Sequence, residues 1–155
     1  MPYRQSLKRF SKHSWEAFIA EFREAHDQSL MEGVVAGCAI VAYADGWVTD
    51  EERRRMMGLI RGFDPIASFG MEDVTHYFDE LTDRFADDHD GGERDALAVV
   101  ARLKGEKRYP AMLVETCCAI AAADGGFDAE EREAAVRICE VLDLDPADFG
   151  LADAR

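Results

Sequence analysis

Residues 38–53 and 117–132 carry nearly the same text, CAIVAYADGWVTDEER and CCAIAAADGGFDAEER, at a constant offset of 79 positions. A duplicated segment limits the possible folds more than composition does, because whatever unit one copy forms the chain must form twice. Each copy runs from an apolar stretch through an Asp-Gly break into a charged stretch led by two glutamates. The offset pairs Asp45 with Asp124, Gly46 with Gly125, Glu51 with Glu130, Glu52 with Glu131 and Arg53 with Arg132. The unit this predicts is a helix–loop–helix. Glycine after Asp ends the first helix by accepting a left-handed conformation. Thr49 and Asp128, each three residues before a glutamate, restart the chain with a capping-box pattern.

The remainder is helical as well, since apolar residues recur at three and four positions and no segment alternates as a strand would. Trp15, Phe18, Ile19 and Phe22 mark a helix over about 14–28. The next, over about 30–44, is apolar nearly all round, so it should be central; Gly33 and Gly37 would let a neighbour approach closely. Met56, Met57, Leu59, Ile60 and Phe63 give the core face after the first break, and Pro65 stops it. Val74, Tyr77, Phe78, Leu81 and Phe85 mark a helix finishing before an acidic loop, Asp87 to Gly92, and Leu97, Val99, Val100 and Leu103 a shorter one. Pro110 suits the first turn of a helix running through Leu113, Val114, Cys117 and Ile120. Val136, Ile138, Val141 and Leu142 mark another, and Asp145-Pro146 opens a last short turn near Phe149. The expected fold is all-α: a single-domain bundle of about seven helices with an internal pseudo-two-fold helix–loop–helix repeat, residues 14–155, behind a basic tail of residues 1–13.

Charge narrows the partners. A formal net charge of -14 and a pI near 4.6 argue against nucleic acid, whose affinity comes from lysines and arginines displacing counterions. Cations and basic protein surfaces are the natural complements. The tail is the exception, with Arg4, Lys8, Arg9 and Lys12 and no carboxylate. Tyr3, Leu7 and Phe10 give it an amphipathic spacing, yet four charges are at the low end for membrane attachment, and a frayed or core-docked terminus is expected. No run of about twenty apolar residues could span a bilayer, and no secretory signal is recognisable, so a cytoplasmic protein is expected. Cys38, Cys117, Cys118 and Cys139 lack metal-site spacing and read as reduced core thiols.

The breaks raise the question of a metal. Their Asp-Gly-x-apolar-x-x-x-Glu spacing matches the second half of an EF-hand loop, but Val41 and Tyr43, or Ile120 and Ala122, stand where such a loop opens with oxygen ligands. An ordinary EF-hand is therefore rejected. A joint site remains: if a pseudo-two-fold brings the breaks together, Asp45, Glu52, Asp124 and Glu131 could supply hard oxygens for Ca²⁺ or Mg²⁺. The competing reading is plain helix capping and dipole compensation. The acidic stretch Asp87, Asp88 and Asp90 reads as a solvated loop. Catalysis finds little support: no nucleophile elbow, phosphate loop or H-E-x-x-H exists, and His13, His26, His76 and His89 are scattered. A thiol reagent would require exposed, ionisable Cys38, Cys117 or Cys118.

The two motifs, YADGWVTDEER and AADGGFDAEER, with FDPIASFGMEDVTHYFDELTDRF between them, resemble the TerB family of tellurite-resistance proteins, whose fold also occurs in DjlA-type co-chaperones. The likeness covers about residues 30–150. It implies a cytoplasmic, non-enzymatic stress-response protein of about seven helices, located at the inner membrane face through a partner. It also implies a divalent-cation site of acidic residues, carried here by Asp45, Glu52, Asp124 and Glu131 with Glu51 and Glu130 as runners-up. The implied partners are a membrane-embedded TerC-like protein and TerD-like proteins. The alternative is a metal-independent protein-interaction module. Trp47 and Gly126 hold equivalent positions, so the two loops cannot be sterically identical.

Overall fold

The most apolar stretch of the sequence is also the axis of the fold: in this computed structural model, helix α1 (Gln28–Ala42) buries Leu30, Met31 and every residue from Gly33 to Val41. The structure describes residues 28–46, 49–62, 70–106, 109–122 and 128–151. The expected basic tail 1–13, the helix expected over 14–28, the stop at Pro65, and Asp124 with Gly125 lie outside the described residues, as do Trp47 and Gly126. Around α1 stand α2 (Asp50–Arg61), α3 (Met71–Asp87), α4 (His89–Ala101), α5 (Tyr109–Ala122) and α6 (Ala129–Val141), followed by a 3-10 turn, Pro146–Phe149. The described residues are thus all-helical, with six α-helices and no strand.

The second apolar helix, α5, packs directly on α1. Contact is close because two glycines face it. A Cβ on Gly37 would stand 2.5 Å from Cys117 Sγ, and one on Gly33 would stand 2.8 and 2.9 Å from the methyl ends of Leu103 and Leu113. Small residues at these positions let the backbones approach as the spacing predicts, and the Cys117 thiol donates to the Val34 carbonyl at 3.5 Å. One core runs through all the helices, from Leu30 and Val34 on α1 to Phe78 and Leu81 on α3, Val100 on α4, Leu113 on α5 and Ile138 on α6.

One segment departs from the sequence reading. The stretch from Asp87 to Gly92 is not a loop: α3 runs to Asp87, only Asp88 is extended, and α4 begins at His89 and includes both glycines. Asp88 caps α4, its Oδ1 accepting from the Gly91 amide at 3.2 Å. Gly92 is required by packing, because a Cβ there would lie 2.8 Å from the Phe85 backbone. The glycines that would weaken an isolated helix here let α4 fold back tightly on α3.

The two similar segments share a cap at their helix starts, and beyond that cap the described residues do not establish the expected structural repeat. Thr49 Oγ1 accepts from the Glu52 amide at 3.1 Å, and Asp128 Oδ1 accepts from the Glu131 amide at 2.8 Å. Only the second start closes the full reciprocal box, with the Asp128 amide donating to Glu131 Oε1 at 3.5 Å. In the first, the Thr49 hydroxyl donates to Glu52 Oε1 at 3.1 Å. What the described residues repeat is this cap, with a hydroxyl in one copy and a carboxylate in the other.

Candidate functional site

After Ala42 the chain turns out of α1 through Tyr43 and Ala44, and Gly46 closes the turn with φ of +105°, its amide donating to the Tyr43 carbonyl at 3.0 Å. A side chain would oppose that conformation, so the glycine of the Asp-Gly pair is what permits the break. Asp45 is left exposed at its tip. Thr49 then starts α2, and Asp128 starts α6, each with acidic residues in the first turn where the helix dipole favours them.

These starts meet. A cleft of about 250 Å³ is lined by Asp45 from the first break, Glu52, Arg55, Met56 and Leu59 from α2, Val41 and Ala42 from the end of α1, Ala121 from α5, and Asp128 and Glu131 from the start of α6. Three of the four residues expected from the sequence, Asp45, Glu52 and Glu131, therefore face one space, drawn from both of the similar segments. Asp124 lies outside the described residues. Of each glutamate pair, the second turns toward the cleft, while Glu51 and Glu130 are exposed and take no part in its lining.

Glu131 shows what burial beside other carboxylates does. Burial, then the hydrogen bond and negative charge of Asp128, then the charge of Asp45, push its carboxyl up from the ordinary 4.5 to about 7. Asp45 thus acts on Glu131 across the cleft, between groups 86 positions apart in sequence. The floor differs in character. Val41 and Ala121 are buried, and Ala42, Met56 and Leu59 are partly covered members of the core.

Two charged lining residues, Asp128 and Arg55, are not among those the sequence singles out for a site. Asp128 reads from sequence as a cap, which it is, and it faces the cleft as well. Arg55, from α2, lines the cleft as well. Its signal is present in the sequence, since Glu52, Arg55, Met56 and Leu59 are spaced as one face of a helix.

The fit to a divalent ion is partial. The donors are hard oxygens, as Ca²⁺ and Mg²⁺ require. Yet among the described residues no group of three or more His, Cys, Asp or Glu is arranged to hold a metal ion. Asp128 and Glu131 are engaged with each other in the cap, and Glu52 with Thr49. The described carboxylates alone do not make a cage.

Elsewhere the chemistry is quiet. Cys38, Cys117, Cys118 and Cys139 are free and buried. The Cys117 thiol is held well above the ordinary range by its hydrogen bond with Cys38 and by burial, Cys118 well above it by burial, and burial pushes Cys139 up to about 12. Buried thiols of this kind react slowly, whereas a thiol reagent needs exposed, ionisable ones. No described helix is long and apolar enough to cross a membrane.

Comparison with known proteins agrees with the motif. The profile of the family described as "Tellurite resistance protein TerB" matches residues 31–154. The "Tellurium resistance protein TerB" of an Alcaligenes species is 29% identical over 80 residues, which make up 52% of this chain and 66% of that relative. No solved structure matches.

Proposed function

The chain belongs to the TerB family of tellurite-resistance proteins, and from that membership we propose that it acts without catalysis, through an acidic cleft that receives positive charge and so governs docking on partners. The observation that carries this reading is the shared lining: Asp45 and Glu52 from one break and Asp128 and Glu131 from the other face a single cleft, with Arg55 also in its lining. Burial first, and then the neighbouring Asp128 and Asp45, raise the Glu131 carboxyl to about 7, and an added cation would favour its charged form.

The cation has two sources. In the first, Ca²⁺ or Mg²⁺ is held by Asp45, Glu52 and Glu131 together with Asp124; bound, the ion would neutralise the cleft and stabilise the fold by mass action. That reading depends on Asp124, because the described residues do not complete a metal set. In the second, a basic partner surface supplies the charge and no metal is needed. The family resemblance suggests TerC-like membrane proteins and TerD-like proteins as partners, which would bring this chain to the cytoplasmic membrane face.

The two sources separate in one experiment. Binding to a TerC-like or TerD-like partner is measured against salt and against chelator, beside a calorimetric calcium titration. A docking surface gives affinity that falls with salt and falls again in the Asp45→Asn, Glu52→Gln double variant. Calcium heat with chelator-sensitive docking selects the metal. Docking indifferent to salt and to both substitutions, with no calcium heat, would remove the cleft from function.

A further inference from the structure

Beneath its carboxylates the cleft has a floor that a bare ion would not use. Ala42, Met56 and Leu59 are only partly covered, and with Val41 and Ala121 they pave the base of a space of about 250 Å³. That is below the ~300–1,000 Å³ typical of sites for whole drug-sized ligands. It suits a single inserted side chain.

Resting on the reading that the cleft receives positive charge, we propose that its occupant is the lysine side chain of a partner protein, with the methylene stem laid on Ala42, Met56 and Leu59 and the ammonium among Asp45, Glu52 and Glu131. Charge complementarity selects the tip. The described carboxylates arise from three separate places, the elbow after α1 and the first turns of α2 and α6, and among the described residues no three of them are grouped as metal ligands. A compact ammonium with three rotatable donors can satisfy such scattered acceptors one at a time, whereas a planar guanidinium favours one carboxylate held edge-on. The apolar floor selects the stem, since lysine covers apolar surface with its methylenes while keeping its charge at a polar rim. Arg55 already contributes one long cationic side chain to this lining.

The test uses n-butylammonium as the side-chain probe on the full chain, followed by methyl NMR of Ala42, Met56, Leu59 and Ala121. Ethylammonium carries the same charge on a shorter stem, 1-butanol carries the stem without charge, and calcium chloride carries the charge alone. Expected are methyl shifts localised to these four residues, binding at least three-fold tighter for butylammonium than for ethylammonium, and a several-fold loss in Asp45→Asn and again in Glu52→Gln, with circular dichroism unchanged. Asp45 caps none of the described helices, so its variant tests charge without disturbing a helix start. Equal affinity for the two amines, equal shifts from 1-butanol, or undisturbed floor methyls would overturn the proposal. Calcium binding without butylammonium binding would also overturn it while leaving a cation-receiving cleft intact; no response to either would end both readings.

Discussion

The imidazole Nε2 of His89 donates to the carbonyl oxygen of Tyr43 at 2.8 Å. The same oxygen accepts from the Gly46 amide at 3.0 Å, so both its lone pairs are used. The bond fastens the first residue of α4 to the end of α1, two residues before Asp45. Rings reinforce it: Tyr43 stacks on Phe85 at 4.8 Å, and Phe85 meets His89 edge-on at 5.6 Å. Position of the first elbow is therefore set by a residue from another helix.

Replacing His89 by Ala removes that donor and leaves the carbonyl of a buried residue with one partner fewer. The expected cost is ~1–2 kcal/mol, or a fall in Tm of roughly 2–8 °C for a chain of this size. Thermal unfolding followed by circular dichroism measures it, and an unchanged Tm would show that the elbow holds without the imidazole.

Two glycine-to-alanine substitutions should move stability in opposite directions. Gly58 sits inside α2, and a Cβ added there would meet nothing within 4 Å, so alanine should stabilise by ~0.5–1 kcal/mol. At Gly37 a Cβ would overlap Cys117 Sγ at 2.5 Å, so alanine should destabilise by ~1–3 kcal/mol through overpacking between α1 and α5. Chemical denaturation of both variants decides it, and the same sign for the two would contradict the packing described.

Glu131 should make stability fall with rising pH near neutrality. Its carboxyl binds a proton more tightly folded, at about 7, than at the ordinary 4.5, so the stability it contributes is complete below pH 4.5 and is lost as pH rises through 7. Asp45→Asn removes the smaller of the two charges responsible and should lower that pKa. Carboxyl-carbon NMR titration of the two proteins reads the effect directly. A Glu131 titration identical in both would separate the two breaks electrostatically.

The thiols should resist labelling in the native state. With Cys38, Cys117, Cys118 and Cys139 buried and Cys139 pushed up to about 12, a disulfide reagent at about pH 8 should react only as fast as the protein opens. Denaturant should release all four at once. Rapid native labelling of Cys117 or Cys118 would reopen thiol chemistry as a function.

The parts of the cleft legible in sequence are those whose cause lies within a turn or two of chain. Thr49 with Glu52 and Asp128 with Glu131 announce helix starts by spacing, and Gly46 announces the break. The stretch from Asp87 to Gly92 shows where that ends. Its acidic and glycine-rich text has the local propensity of a loop, and what makes it helix is the approach of Gly92 to the Phe85 backbone, a contact that propensity does not contain. Arg55 escapes for a related reason: its helical face is readable, but the identity of the surface that face looks onto is not.

Sequence alone determined that this chain is helical, where two of its helices break and restart, and that acidic side chains stand at those starts, because capping bonds and glycine conformations are settled between residues at most four apart. Tertiary structure alone decided that Glu52 and Glu131, not Glu51 and Glu130, turn toward a common space, and that Asp45 comes within electrostatic reach of a carboxyl in the other copy. The reason is geometric. The separation of two helix ends is fixed by how closely the helix shafts can pack, and here Gly33 and Gly37 against Leu113 and Cys117 set that distance.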